Sequence, residues 1–223
     1  MPVKIRLRKT SLLDYPGRIS SVFFFQGCTL RCPWCHNREL VLGESDERNN
    51  YVSLEEAFAH LVKRHSVLGG VVLSGGEPCL YEDLPGLIRK IKKLSLPVKL
   101  DTNGTLPLML EKLFKQKETS PDYIAMDLKL APERYAELGM RKEEGFLIAK
   151  VLTKSADMIR NSGIPHEFRS LKLPADYFTE KDIEALKPLA GLSPWNFRPF
   201  RGGNCLDPAW DDIISPIIHQ ETS

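Results

Sequence analysis

The stretch FFFQGCTLRCPWCHNREL, residues 23–40, decides how this chain is read. Three of the chain's five cysteines, Cys28, Cys32 and Cys35, fall within eight residues there, spaced C-x3-C-x2-C behind an apolar run. An aromatic residue, Trp34, precedes the last of them. The apolar run has the length and composition of a strand, so the cysteines occupy the loop that leaves it.

Outward from that strand the same pattern recurs. Apolar, β-branched or aromatic runs predict strands over 20–26, 71–74, 97–101, 123–127, 166–173 and 194–199. Helical periodicity separates them over 53–66, 83–95, 106–117, 145–162 and 179–189. Ser53 with Glu56 forms a capping box, Thr179 with Asp182 resembles one, and Gly163 followed by Pro165 stops a helix. The alternation implies βαβ units with right-handed crossovers, and six of them make an α/β fold, either an open doubly wound sheet or an incomplete barrel. No linker, low-complexity tract or repeat divides the chain, so residues 1–223 read as a single domain. GESDERNN, residues 43–50, reads as an exposed loop.

In either α/β arrangement ligands gather at the carboxyl ends of the strands. Every chemically suggestive stretch lies at such an end or within such a strand. QGCTLRCPWCHN follows the first strand, SGGEP (Ser74 to Pro78) the second and DTNG (Asp101 to Gly104) the third; DLK (Asp127 to Lys129) ends the fourth and FRS, with Arg169, lies in the fifth. The fold would bring these distant segments to one rim.

Composition narrows the function class. A 42% hydrophobic, 27% charged chain is an ordinary globular protein, and 31 basic against 29 acidic residues leave a net charge of +2, which gives no support to nucleic-acid binding by bulk charge. Residues 1–21 lack the apolar core of a secretory signal, and no run of about 18 apolar residues occurs. A cytoplasmic location is expected, with the cysteines as thiols or metal ligands rather than disulfides.

Four chemistries use such cysteines. A structural zinc site needs four ligands, but adjacent Cys35 and His36 rarely reach one metal together and no second CxxC exists. CPWCH matches covalent haem attachment, yet that belongs to exported proteins and leaves Cys28 unused. CPWC as a redox dithiol belongs to a smaller fold and again omits Cys28. A [4Fe–4S] cluster normally takes four cysteines. Held by three, it keeps one iron open for chemistry.

C-x3-C-x2-C with Trp34 before its last cysteine resembles the hallmark of the radical S-adenosylmethionine (SAM) superfamily. The resemblance implies a partial (β/α)6 TIM-like barrel. It also implies that Cys28, Cys32 and Cys35 hold a [4Fe–4S] cluster whose open iron chelates SAM and whose reduced form cleaves SAM to a 5′-deoxyadenosyl radical, with no separate catalytic acid or base. The cluster loop would span 27–38, and 194–223 would close the barrel edge. Gly75 and Gly76 would let the backbone approach the cofactor, with Glu77 accepting from its ammonium group. DTNG and DLK are similar to segments of glycyl-radical activating enzymes. There the matching positions, here Asp101, Thr102 and Asp127, surround a monovalent cation beside the cofactor carboxylate. Asn103 joins that turn, and Lys129, Arg169, His36, Asn37 and Trp34 would also border the cofactor. Cys79 and Cys205 read as bystanders.

KTSLLDYPGRISSVFFFQGC, AMDLK, the EFRS strand and FRPFRGGNCLDP together resemble the longer variant of the activating proteins of anaerobic ribonucleoside-triphosphate reductase. That implies a glycyl-radical protein as substrate and a flavodoxin or ferredoxin as electron donor, with no nucleic acid or membrane involved. Two other classes share part of the pattern: a radical enzyme on a small molecule, like 7-carboxy-7-deazaguanine synthase, and a non-enzymatic iron–sulfur or zinc protein.

Overall fold

The computed structural model of the chain describes residues 4–43, 51–140 and 145–214. Most of the loop expected at 43–50 falls outside them. The elements run β1 (Lys4–Ser11), β2 (Ser20–Phe25), α1 (Arg38–Leu42), β3 (Tyr51–Ser53), α2 (Leu54–Arg64), β4 (Gly70–Gly75), α3 (Leu84–Lys92) and β5 (Val98–Thr102). They continue with α4 (Pro107–Phe114), β6 (Tyr123–Asp127), α5 (Gly145–Asn161), β7 (His166–Lys172), α6 (Glu180–Ala190) and β8 (Trp195–Pro199).

One eight-stranded sheet carries the order β3-β1-β2-β4-β5-β6-β7-β8. Its six parallel strands, β2 and β4 to β8, are the six expected from sequence. The fold is α/β, an open mixed sheet of partial-barrel form. β2, SSVFFF, is buried at every position because both its faces are covered: Phe23 and Phe25 pack in the cluster that the crossover helices share, and Val22 and Phe24 pack with Tyr15, Leu40 and Val72. The helices supply the matching apolar stripe: α3 buries Leu84, Leu87, Ile88 and Ile91, the i, i+3, i+4, i+7 positions. α2 starts at the expected box, where Glu56 N–H donates to Ser53 Oγ (3.1 Å) and Ser53 N–H to Glu56 Oε2 (2.8 Å).

The sequence reading missed β1, β3 and α1. β1 alternates Ile5 and Leu7 with Lys4, Arg6 and Arg8, the half-buried pattern of an antiparallel strand, and pairs with β2 and β3. β3 has three residues, too few to show a period. α1 follows the cysteine loop and pins it, since Gly27 N–H donates to Leu40 O at 2.8 Å. β3 and β8 are the sheet edges, so the curl stays open between them. Beyond β8 the chain lies over the cysteine loop: Asp207 N–H donates to Pro33 O (2.9 Å), and Trp210 packs 5.3 Å from Trp34.

Candidate active site

A cavity of about 220 Å³ opens at the carboxyl ends of β2, β4, β5, β6 and β7. Cys28, Cys32 and Cys35 line it, with Trp34, His36 and Asn37 from the same loop. Gly75 and Gly76 come from the end of β4 and the turn after it, Asp101, Thr102 and Asn103 from β5 and its turn, Asp127 and Lys129 from the end of β6 and the segment after it, and Arg169 from β7. Of the residues singled out in the sequence, only Glu77 is absent from this wall. Leu30, Val41, Ser74 and Leu171 complete the lining.

The turn after β4 fits against the head of the cysteine loop. Gly76 N–H donates to Phe25 O (2.9 Å) and Glu77 N–H to Gly27 O (2.8 Å). Gly75 sits at φ +117°, and a Cβ on Gly76 would collide with the Gly27 carbonyl oxygen, so both glycines are required by packing as well as by any ligand. Asn37 joins the same loops, donating to Gly75 O at 3.2 Å and accepting from Arg6 at 3.2 Å. Trp34 is buried against Tyr177 and Trp210, and His36 stacks on Phe200 with ring centroids 5.5 Å apart. The chain after β8 thus shapes the cysteine loop from outside, an arrangement without a local sequence signal.

Burial pushes the Cys32 thiol up to about 12 despite the pull of Lys129, and raises Cys28 as well. Cys28 Sγ faces two donors, Leu30 N–H at 3.4 Å and Asn103 Nδ2 at 3.7 Å. Metal coordination is what ionises such buried thiols, and donors aimed at a ligating sulfur tune it.

Charged side chains line the cavity beside the cysteines. Burial alone would raise the Asp127 carboxyl, but Arg169 and Lys129 overcome this and hold it well below the usual carboxylate range. Arg169 Nε donates to Asp127 Oδ1 and Lys129 Nζ to Oδ2, each at 2.9 Å. Asp101 accepts from Ser74 Oγ at 3.0 Å through Oδ2. Its Oδ1 lies 2.8 Å from Lys99 Nζ and 3.3 Å from Arg169 Nη1. Lys99 was not singled out in the sequence; the strand's two-residue period, which puts it on the face of Asp101, was the available signal.

Glu77 departs from expectation. It is fully buried, and its carboxylate accepts from Cys79 N–H (3.0 Å), Thr102 Oγ1 (2.9 Å) and Asn103 N–H (2.8 Å). Burial raises its carboxyl and those hydrogen bonds oppose the rise. It faces the β5 turn rather than the cavity, so this arrangement gives a ligand ammonium no route to it. Glu77 instead fixes Thr102 and Asn103, which do line the wall. Cys79, expected as a bystander, is buried beside it, and Cys205 is buried under Trp210.

The profile of the radical SAM superfamily matches residues 22–186. The chain belongs to the radical SAM superfamily. It is 35% identical over 175 residues to a protein of Methanocaldococcus jannaschii provisionally described as a glycyl-radical enzyme activating enzyme, covering 78% of this chain and 69% of that one. It is 34% identical over 133 residues to the pyruvate formate-lyase-activating enzyme of Listeria monocytogenes, covering 56% of this chain and 53% of that enzyme. The chain thus spans only about half of the Listeria enzyme it matches. A radical SAM methyltransferase of known structure from Sphaerobacter thermophilus superposes with a TM-score of 0.61 at 16% identity, over 84% of this chain and 57% of that one, which shows the shared fold alone.

The superfamily's cofactors are a [4Fe–4S] cluster and SAM, and the donor set fits them. Three thiols line one cavity, and Leu30 N–H and Asn103 Nδ2 face the sulfur of Cys28. Cysteine sulfur is the donor that such a cluster takes. The charged side chains of the lining suit the zwitterionic amino-acid end of SAM. No helix among the described residues is long and apolar enough to cross a membrane.

Proposed function

We propose that this radical SAM enzyme installs a glycyl radical on a partner protein, an anaerobic ribonucleotide reductase being the partner its motifs favour. The observation that carries the reading is the cavity lined by three thiols and by charged side chains, in a chain 35% identical to the Methanocaldococcus jannaschii protein provisionally described as a glycyl-radical enzyme activating enzyme. When bound, the cluster and SAM supply one-electron cleavage of the sulfonium to a 5′-deoxyadenosyl radical. Cys28, Cys32 and Cys35 would hold the cluster, and Asn103 would aim an N–H at the Cys28 sulfur. Lys129 and Arg169 would attract the SAM carboxylate, and the backbone at Gly75 and Gly76 would meet its amino group. Trp34, His36 and Asn37 would flank the remainder. With Asp101, Thr102 and Asp127 they orient the ligand and exclude water, the protein's share of cofactor chemistry.

The open sheet supports a macromolecular substrate. The cluster and SAM would occupy the cavity at the strand ends, so a substrate has to reach it from outside. A glycine-bearing loop can approach from outside, where the sheet edges stay apart. In this reading residues 1–223 act as one domain in the reducing cytoplasm, served by a flavodoxin or ferredoxin; the five thiols free of disulfides are consistent with it.

The test is anaerobic. Protein reconstituted with iron and sulfide, reduced and given SAM with an anaerobic ribonucleotide reductase should release 5′-deoxyadenosine and produce a glycyl-radical doublet by electron paramagnetic resonance. Cys32→Ala should do neither. Deoxyadenosine without a doublet, together with turnover of a purified small substrate, would favour the small-molecule class. A full, reducible cluster that yields neither product refutes radical chemistry.

A further inference from the structure

The face of β5 that carries Asp101 carries a second charged side chain two residues earlier, Lys99. Lys99 is 1% exposed, and a buried ammonium persists only where it is paired and hydrogen-bonded. Its Nζ donates to the Asp14 carbonyl at 2.7 Å and lies 2.8 Å from Asp101 Oδ1. Arg169 reaches the same Oδ1 at 3.3 Å while bonding Asp127, and Lys129 takes the other Asp127 oxygen. Two carboxylates therefore face three cations.

Asp101 Oδ1 accepts no well-aligned hydrogen bond, which by itself would invite an ion. A metal cation bonded to that oxygen at about 2.6 Å, added to the 2.8 Å contact, would lie within about 5.4 Å of Lys99 Nζ. Arg169 would repel it from a second direction. The residues present do not fit the monovalent cation that the sequence resemblance implied.

We infer that Lys99 is the built-in cation of this site, a positioning residue whose ammonium holds Asp101 in place of a metal ion, so that the chain binds its cofactor without sodium or potassium. The surplus positive charge of the wall then meets the carboxylate of the ligand. Through Asp14 the same ammonium ties the β1–β2 loop to the cavity. The ligand's identity rests on the SAM reading above; the absence of a bound ion does not.

Two measurements separate these claims. Thallium-205 NMR, with thallium(I) as the monovalent probe, is recorded on cluster-free protein in Tris buffer lacking sodium and potassium. Wild type should show no saturable broadening, and Lys99→Met should show it, abolished by adding Asp101→Asn. Calorimetric titration of SAM into cluster-loaded wild type should give affinities within about twofold in tetramethylammonium and potassium buffers, whereas Lys99→Met should bind about tenfold or more weakly in tetramethylammonium and recover in potassium. Saturable thallium binding to wild type that Asp101→Asn removes, or a tenfold gain in wild-type affinity from potassium, overturns the inference. So does a folded Lys99→Met protein that neither binds thallium nor responds to potassium. If that variant fails to fold, the wild-type measurements decide alone. Failure of SAM to bind in any buffer refutes the cofactor reading and leaves the thallium result to judge Lys99.

Discussion

Replacing Glu77 with glutamine separates two roles for a residue whose place in the motif suggests ligand contact and whose geometry says otherwise. The carboxylate takes three protein donors, Cys79 N–H, Thr102 Oγ1 and Asn103 N–H, at 2.8–3.0 Å. An amide retains one acceptor oxygen and sets an N–H₂ in place of the other. With its oxygen toward Cys79 and Thr102, the N–H₂ opposes Asn103 N–H, which loses its acceptor, and the new amide donor is buried without one. A charge-assisted hydrogen bond contributes about 1.5–3 kcal/mol, and each orphaned buried donor costs about 1–3 kcal/mol. Removing a buried charge that the site already disfavours offsets part of this. The expected net loss is about 2–3 kcal/mol, or about 4–12 °C in Tm at this chain length. Urea and thermal unfolding of the cluster-free protein measure it without any ligand. A cofactor-contacting carboxylate predicts the reverse pattern: unfolding unchanged, SAM affinity reduced. Cluster-free Glu77→Gln within about 0.5 kcal/mol of wild type, the range of a neutral surface change, would refute the strut reading.

The remaining predictions follow from the same contacts. Alanine at Cys28, Cys32 or Cys35 should abolish reconstitution of a four-iron cluster, while Cys79→Ala and Cys205→Ala should keep full iron and sulfide content; loss of iron from either of the latter would move it into the ligand set. Gly76→Ala, whose Cβ would strike the Gly27 carbonyl, should lower the urea midpoint of the cluster-free protein and loosen the cysteine loop, seen as faster hydrogen exchange over 27–35. A variant with wild-type exchange there would contradict the packing. Because Arg169 and Lys129 hold Asp127 below its ordinary value, the native state binds fewer protons than the unfolded one. Their stabilisation is complete above the ordinary carboxylate value near pH 4 and drains as pH falls below it. Asp127→Asn should therefore lose stability at pH 7 and show a flatter acid limb below pH 4 by urea midpoint. Parallel wild-type and variant curves would sink that assignment.

What the sequence disclosed and what it withheld divide along a physical line. The six parallel strands were legible because a strand covered on both faces is a contiguous apolar run, as in SSVFFF of β2. The site was legible as a set because each motif follows or sits in a parallel strand, and topology alone carries strand ends to one rim. The direction of Glu77 was not legible: a carboxylate after two glycines could turn either way, and the donors that decide it stand at 102 and 103, on another strand. Lys99 was half hidden: the two-residue period of β5 puts it on the face of Asp101, but that its ammonium is buried against the Asp14 carbonyl follows only from long-range packing. The cover of Phe200 and Trp210 over His36 and Trp34 likewise joins residues more than 160 positions apart. Local backbone rules determine which residues reach the rim, while long-range pairing determines which of them face the cavity. A cofactor recognised by the backbone and by fixed charges therefore leaves motifs in the sequence. A partner recognised by side chains on loops and sheet edges, where no backbone rule constrains residue type, leaves none.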